Sequence, residues 1–178
     1  MELTEQDKNL LHDLVQDSIA AKLTGRGYGD FPIRSDILKE KRGAFVTLKK
    51  NDQLRGCIGY IDAIKPLYQT VREMAVAAAF HDPRFPRLRP EEFEELSFEI
   101  SVLGPLLQIS DIREIEVGKH GLYITKDRHS GLLLPQVATA YGWERITFLE
   151  ETCHKAGLQP QAWKDKDTKI YIFSADVF

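Results

Sequence analysis

Apolar residues recur at helical spacing soon after the chain begins. Leu10, Leu11, Leu14, Val15 and Ile19 fall on one face of a 3.6-residue period. Thr4-Glu5-Gln6-Asp7 ahead of them has the form of a capping box, and Gly25 closes the run, so the pattern predicts a first helix. Residues 25–43 carry Gly, Tyr, Asp and Pro without a period and read mostly as loop. The period then becomes two. Ala44-Phe45-Val46-Thr47-Leu48 has the β-branched and aromatic content of a strand, Asn51-Asp52 is a turn signal, and Leu54-Arg55-Gly56-Cys57-Ile58-Gly59 reads as the returning strand of a hairpin.

Pro66 suits the first turn of a second helix, whose apolar face is Leu67, Thr70, Val71, Met74, Ala75 and Ala78. The small residues from Ala75 to Ala79 imply close packing, and Asp82-Pro83 stops the helix before an extended Phe85-Pro86. Leu96, Phe98, Ile100 and Val102 alternate with Ser97, Glu99 and Ser101, which predicts a strand with one buried face and one face carrying a carboxylate. A second hairpin follows, with Gly121–Thr125 and Gly131–Leu134 flanking residues 126–130. Pro135 opens a short helix through Ala140, Trp143 to Ala156 forms another helix closed by Gly157, and Lys169–Phe173 is a last strand. Hairpins dominate the strand pairings and helices intervene irregularly. The fold class read from this order is α+β, a mainly antiparallel sheet with flanking helices. With no repeat, low-complexity tract or long linker, residues 1–178 read as one domain with two lobes.

Composition narrows the picture. In 178 residues, 43% apolar and 29% charged, a core forms without help from disulfides or metals. The formal charge of −3 opposes bulk capture of nucleic acid. No signal-peptide apolar region and no run of eighteen apolar residues occur, so the expectation is a cytoplasmic protein with no membrane span. Cys57 and Cys153 are then reduced thiols rather than a disulfide framework.

The chemistry concentrates in residues 54–59. In an extended strand Arg55 and Cys57 share a face, and Gly56 and Gly59 leave room for backbone or ligand to approach. A cation beside a thiol favours its reactive form, and an arginine fork also grips carboxylate or phosphate. The alternative is a cysteine that packs as a small apolar residue. A second cluster, His81-Asp82-Pro83-Arg84-Phe85-Pro86, offers an acid or base in His81, an orienting carboxylate in Asp82 and an anion-binding Arg84. It reads equally as a helix stop in which Asp82 pairs with Arg84 and Phe85 plugs the core. Glu99 is a base or a structural ion-pair partner. His120 faces a cleft or serves a turn, and Gln136 offers both donors and acceptors. Metal spacings such as CxxC or HExxH are absent. Gly25-Arg26-Gly27-Tyr28-Gly29 lacks the strand and Lys-Ser/Thr of a P-loop, and no Gly-x-Ser-x-Gly elbow occurs.

Taken together these segments resemble the AMMECR domain, also called the AmmeMemoRadiSam system protein A family. The resemblance runs through Gly43–Leu48, the hallmark Leu54–Gly59, Asp82–Pro86, Glu99–Leu103, Gly118–Leu122, Leu133–Val137, Gly142-Trp143 and Lys155–Leu158, in the family's order over nearly the whole chain. It implies an α+β fold in two unequal lobes, and partners in a radical SAM protein and a Memo-like protein. Carried onto this chain it marks Arg55, Gly56, Cys57, Gly59, Asp82, Arg84, Phe85, His120 and Pro135, with His81, Glu99 and Gln136 beside them.

Three functions are open on these residues. The first is a cysteine-centred enzyme-like site, with Cys57, His120 and Asp82 as the catalytic group. Arg55, Gly56, Gly59, Arg84, Phe85, Glu99 and Gln136 would bind a small anionic or peptide substrate. The second is a non-catalytic adaptor for the same partners, in which the arginines matter and Cys57 packs. The third is nucleic-acid binding through Lys39, Lys41, Arg42, Lys49, Lys50 and Arg55, which the net charge disfavours. The sequence names no substrate, cofactor or oligomeric state.

Overall fold

The structure, a computed structural model, describes residues 2–178. It is an α+β protein built on antiparallel strand pairings. The chain divides into two compact units. The first comprises residues up to Leu103 together with Asp176–Phe178, and the second runs from Gly104 to Ala175.

In the first unit, α1 (Glu5–Thr24) begins on Thr4. The Thr4 hydroxyl accepts from the Asp7 N–H while Asp7 accepts from the Thr4 N–H, and Gly25 ends the helix in the left-handed region at φ 70°. The predicted loop contains one short helix, α2 (Asp36–Lys39). Strands β1 (Ala44–Lys50) and β2 (Gln53–Tyr60) form the predicted hairpin. Asn51 and Asp52 sit at φ 50° and 60°, the left-handed pair that a two-residue hairpin turn requires. Helix α3 (Leu67–Phe80) starts on Pro66, and Ala75, Ala78 and Ala79 are buried where it lies on β1 and β2. Strand β3 (Leu96–Leu103) completes the centre of a sheet ordered β2-β1-β3-β8, where β8 is Ala175–Val177 at the chain's end. Leu11, Leu14, Val15 and Ile19 of α1 and Val71 and Met74 of α3 share one core with Val46, Leu48 and Ile100 of the sheet.

Strand β3 departs from the expected one-sided burial. Ser101, on the face predicted to be polar, is fully buried, so both faces are enclosed at that end of the strand. The backbone there is satisfied on both sides by β1 and β8, and a serine is small enough to be covered.

The second unit holds a sheet ordered β4-β7-β5-β6, from β4 (Leu107–Ile109), β5 (Gly121–Lys126), β6 (His129–Leu133) and β7 (Lys169–Phe173). The β5–β6 turn is tighter than predicted, since Lys126 already pairs with His129. Helices α4 (Pro135–Ala140) and α5 (Arg145–Lys155) follow. Helix α5 starts two residues later than the pattern suggested, because Gly142 turns left-handed and the Trp143 N–H bonds back to Ala138. Leu122, Ile124, Ile170 and Ile172 pack with Phe148, Leu149 and Cys153 of α5. No helix among the described residues is long and apolar enough to cross a membrane.

Candidate functional site

The hallmark strand contains a β-bulge. Leu48 pairs with Gly56 and Lys49 with Leu54, so Arg55 has no partner in the register. An extra residue breaks the two-residue alternation, and Arg55 and Cys57 serve different surroundings rather than one face.

Arg55 belongs to a buried ion pair. Its Nε and Nη2 donate to Glu92 Oε1 and Oε2 over 3.0 and 3.1 Å, a two-point fork, and the residue is only 9% exposed. Glu92 lies in a 3-10 turn over Pro90–Glu95 and also accepts from the Arg89 N–H. The Arg55 guanidinium, helped by that N–H, holds the Glu92 carboxyl down to about 2 against the pull of burial. Arg55 therefore does not supply the cation for the thiol. That expectation is corrected, and the physical reason is the bulge.

The cation at Cys57 is Arg84. Its Nη2 donates to the Cys57 carbonyl over 3.2 Å and to Asp82 Oδ2 over 2.7 Å, while Nε reaches Asp82 Oδ1 at 3.0 Å. Asp82 also accepts from the Cys57 N–H at 2.9 Å and from the Arg84 N–H at 3.1 Å. Both carboxylate oxygens are thus engaged twice, on a residue 4% exposed. The Arg84 guanidinium and the two N–H groups hold this carboxyl well below the usual carboxylate range. Asp82 is consequently held as a carboxylate anion. The Arg84 side chain remains 51% exposed, with Nη1 unengaged by the described residues. On the thiol itself, Thr47 Oγ1 donates to Cys57 Sγ over 3.2 Å, and Cys57 is half-buried.

The two hallmark glycines are explained by packing. An ideal Cβ on Gly56 would lie 2.2 Å from the Ala78 carbonyl oxygen, and one on Gly59 would lie 2.3 Å from the Phe45 ring. Of the two expected occupants, backbone or ligand, backbone takes the room at Gly56, where α3 lies against it, and an aromatic ring takes the room at Gly59. Phe85 does not plug the core. It is half-buried and its ring lies 5.5 Å from the Arg84 guanidinium. Glu99 faces Thr47 across β1 and β3 and bonds Lys49 Nζ at 2.8 Å, the structural pairing among its two readings.

Arg55, Cys57, Asp82, Arg84 and Glu99 therefore share the first unit, with Thr47, Lys49 and Glu92 as partners not singled out from sequence. His120 and Gln136 belong to the second unit. His120 Nδ1 accepts from the Glu116 N–H at 3.2 Å, and Gln136 stands in the first turn of α4. Among the cations offered for nucleic acid, Lys39, Arg42, Lys49, Lys50 and Arg55 each pair with a carboxylate. No group of three His, Cys, Asp or Glu among the described residues is arranged to hold a metal.

A family model described as AMMECR1 matches residues 12–178. The chain belongs to the AMMECR1 family. Among its relatives, Protein MK0488 of Methanopyrus kandleri is 50% identical over 150 residues, which span 79% of this chain and 72% of that protein. A relative from Aquifex aeolicus is 46% identical over 154 residues, 80% of this chain and 79% of the relative. The crystal structure of the uncharacterized protein PH0010 from Pyrococcus horikoshii superposes with a TM-score of 0.87 at 40% identity, covering 95% of this chain and 88% of that one. An AMMECR1 member thus places its hallmark on a bulged hairpin strand, clamped by an Asp-Pro-Arg turn at the end of the helix that covers it.

Proposed function

We propose that the first unit carries a thiol-centred site for a small anionic or peptide substrate, with Cys57 Sγ as the nucleophilic atom and Arg84 as the anion-binding cation. The supporting observation is the set of contacts converging on one residue. Thr47 Oγ1 donates to the sulfur, Asp82 fixes the backbone N–H, and a half-exposed Arg84 holds the carbonyl and keeps Nη1 open. A donor and a cation beside a partly exposed sulfur distinguish this cysteine from Cys153, which is fully buried and whose thiol burial pushes up. The pathway we assign, shared with a radical SAM protein and a Memo-like protein, is supported by the family resemblance.

Iodoacetamide labelling of the folded protein tests the site. Cys57 labels while Cys153 does not, and Thr47→Val and Arg84→Gln each slow the Cys57 rate at least about threefold. A native Cys57 that resists labelling, or one rate shared by all three proteins, refutes the nucleophile. The adaptor reading draws support from the same open Arg84 edge. Cys57→Ser that preserves cellular function where Arg84→Gln abolishes it decides for the adaptor.

A further inference from the structure

Strand β2 is an edge of its sheet. In an antiparallel ladder the N–H and C=O of one residue point to the same side, and successive residues alternate. The Cys57 N–H and C=O meet Asp82 and Arg84, so they point away from β1. A carboxylate that accepts from the N–H and a guanidinium that donates to the C=O supply what one residue of a neighbouring strand would supply. The Asp82–Arg84 clamp thus fills a single rung of an absent strand.

The next outward rung is Gly59, about 7 Å further along the strand. Gly59 faces Phe45 as a non-bonded pair, and its outward N–H and C=O have no hydrogen-bond partner among the described residues. Ile58 and Tyr60 flank it, half-buried and 38% exposed, as apolar side chains beside an open edge. An unpaired edge rung of this kind pairs with extended chain.

The geometry points to recognition of an extended peptide by its C-terminus. Resting on the reading of Arg84 as the anion-binding cation, the peptide adds antiparallel to β2 and pairs its backbone with Gly59. Running antiparallel, it heads toward Cys57, where the clamp already occupies the following rung. An internal stretch of chain collides there, whereas a chain that ends there presents its carboxylate to the open Nη1 edge of Arg84. Nε and Nη2 stay on Asp82, so the guanidinium bridges two carboxylates through separate edges. The ligand class is a peptide with a free terminal carboxylate, and the Gly59 main chain together with Arg84 recognises it.

Positional-scanning pentapeptide arrays test this, one tethered through the N-terminus with free carboxylates and one tethered through the C-terminus. The full-length protein is captured at least tenfold more strongly on free carboxylates, and amidation of the best peptide removes its binding by the same factor. On binding, the Gly59 amide gains exchange protection by NMR. Cys57→Ser keeps the capture while losing labelling, so this inference and the thiol reading fail separately. Arg84→Gln lowers capture, and the amidated peptide makes the same point without a variant that risks misfolding. Equal capture on both arrays, capture on neither, or an unprotected Gly59 amide overturns the inference. So does Gly59 protection that rises with protein concentration and no peptide, which identifies a second copy as the occupant.

Discussion

Changing Glu92→Gln isolates the charge of the buried ion pair. The amide keeps an oxygen for the Arg89 N–H, which donates at 3.0 Å in the native protein, but it leaves Arg55 cationic with no counterion. Both side chains are about nine-tenths buried, at 11% and 10% exposure, so solvent cannot replace the lost carboxylate. Breaking one partner of such a pair costs about 3–5 kcal/mol. The Glu92 carboxyl, held at about 2 where 4.5 is usual, gives the same order, about 3 kcal/mol. For a chain of this length the melting temperature falls by roughly 2–4 °C per kcal/mol, so the expected loss is roughly 6–20 °C. Far-UV circular dichroism with heat or urea is the suitable probe. Tryptophan emission is not, because Trp143 and Trp163 both lie in the second unit. Cys57 labelling under denaturant gives a first-unit readout beside it. The pair Arg55→Met with Glu92→Met, which removes both charges, recovers most of the loss. A Glu92→Gln cost below about 1 kcal/mol, the size of an exposed pair, refutes the argument.

Acidification acts on the same groups. Asp82 and Glu92 have depressed carboxyls, so their contribution is complete above their unfolded values of 3.8 and 4.5 and is lost as pH falls, for Glu92 down to about 2. The melting temperature is therefore flat near neutrality and drops below about pH 4.5, and Glu92→Gln flattens part of that drop. Gly59→Ala places a methyl against the Phe45 ring and costs about 1–3 kcal/mol. In urea titrations the double change with Phe45→Ala costs less than the sum, and strict additivity contradicts the packing account. Thr4→Ala removes the capping hydroxyl of α1 and lowers stability by about 1 kcal/mol, read from the urea midpoint.

Most elements were legible because local chemistry marks them. Thr4 and Gly25 bound α1, Asn51-Asp52 made the hairpin turn, and Asp82 with Arg84 formed the salt-bridged helix stop that was one reading of that segment. What failed depends on contacts that sequence spacing does not carry. Counting back from the turn without interruption sets Thr47 opposite Gly56, whereas the bulge shifts it opposite Cys57. That one-residue shift hid the Thr47–sulfur contact and assigned Arg55 to the wrong neighbour. Glu92 stands 37 residues from Arg55 in a short 3-10 turn with no periodic signal. Glycine signals close approach without saying what approaches, and here it is Ala78 and Phe45.

The bulge at Arg55 has a consequence for how the hairpin can change over time. It acts as a phase marker. On its two sides the strand alternates out of step, so a deletion beyond it, at residue 58, would be absorbed by ironing out the bulge and would turn Gly56 and Cys57 to the opposite face. Insertions and deletions within residues 53–59 are therefore far more disruptive than substitutions. The hexapeptide should also be inherited together with residues remote from it in sequence. Position 55 should change in concert with 92, and position 59 with 45. The 82–84 turn should vary only where the main chain at 57 finds another partner, a pattern that an alignment of relatives can check.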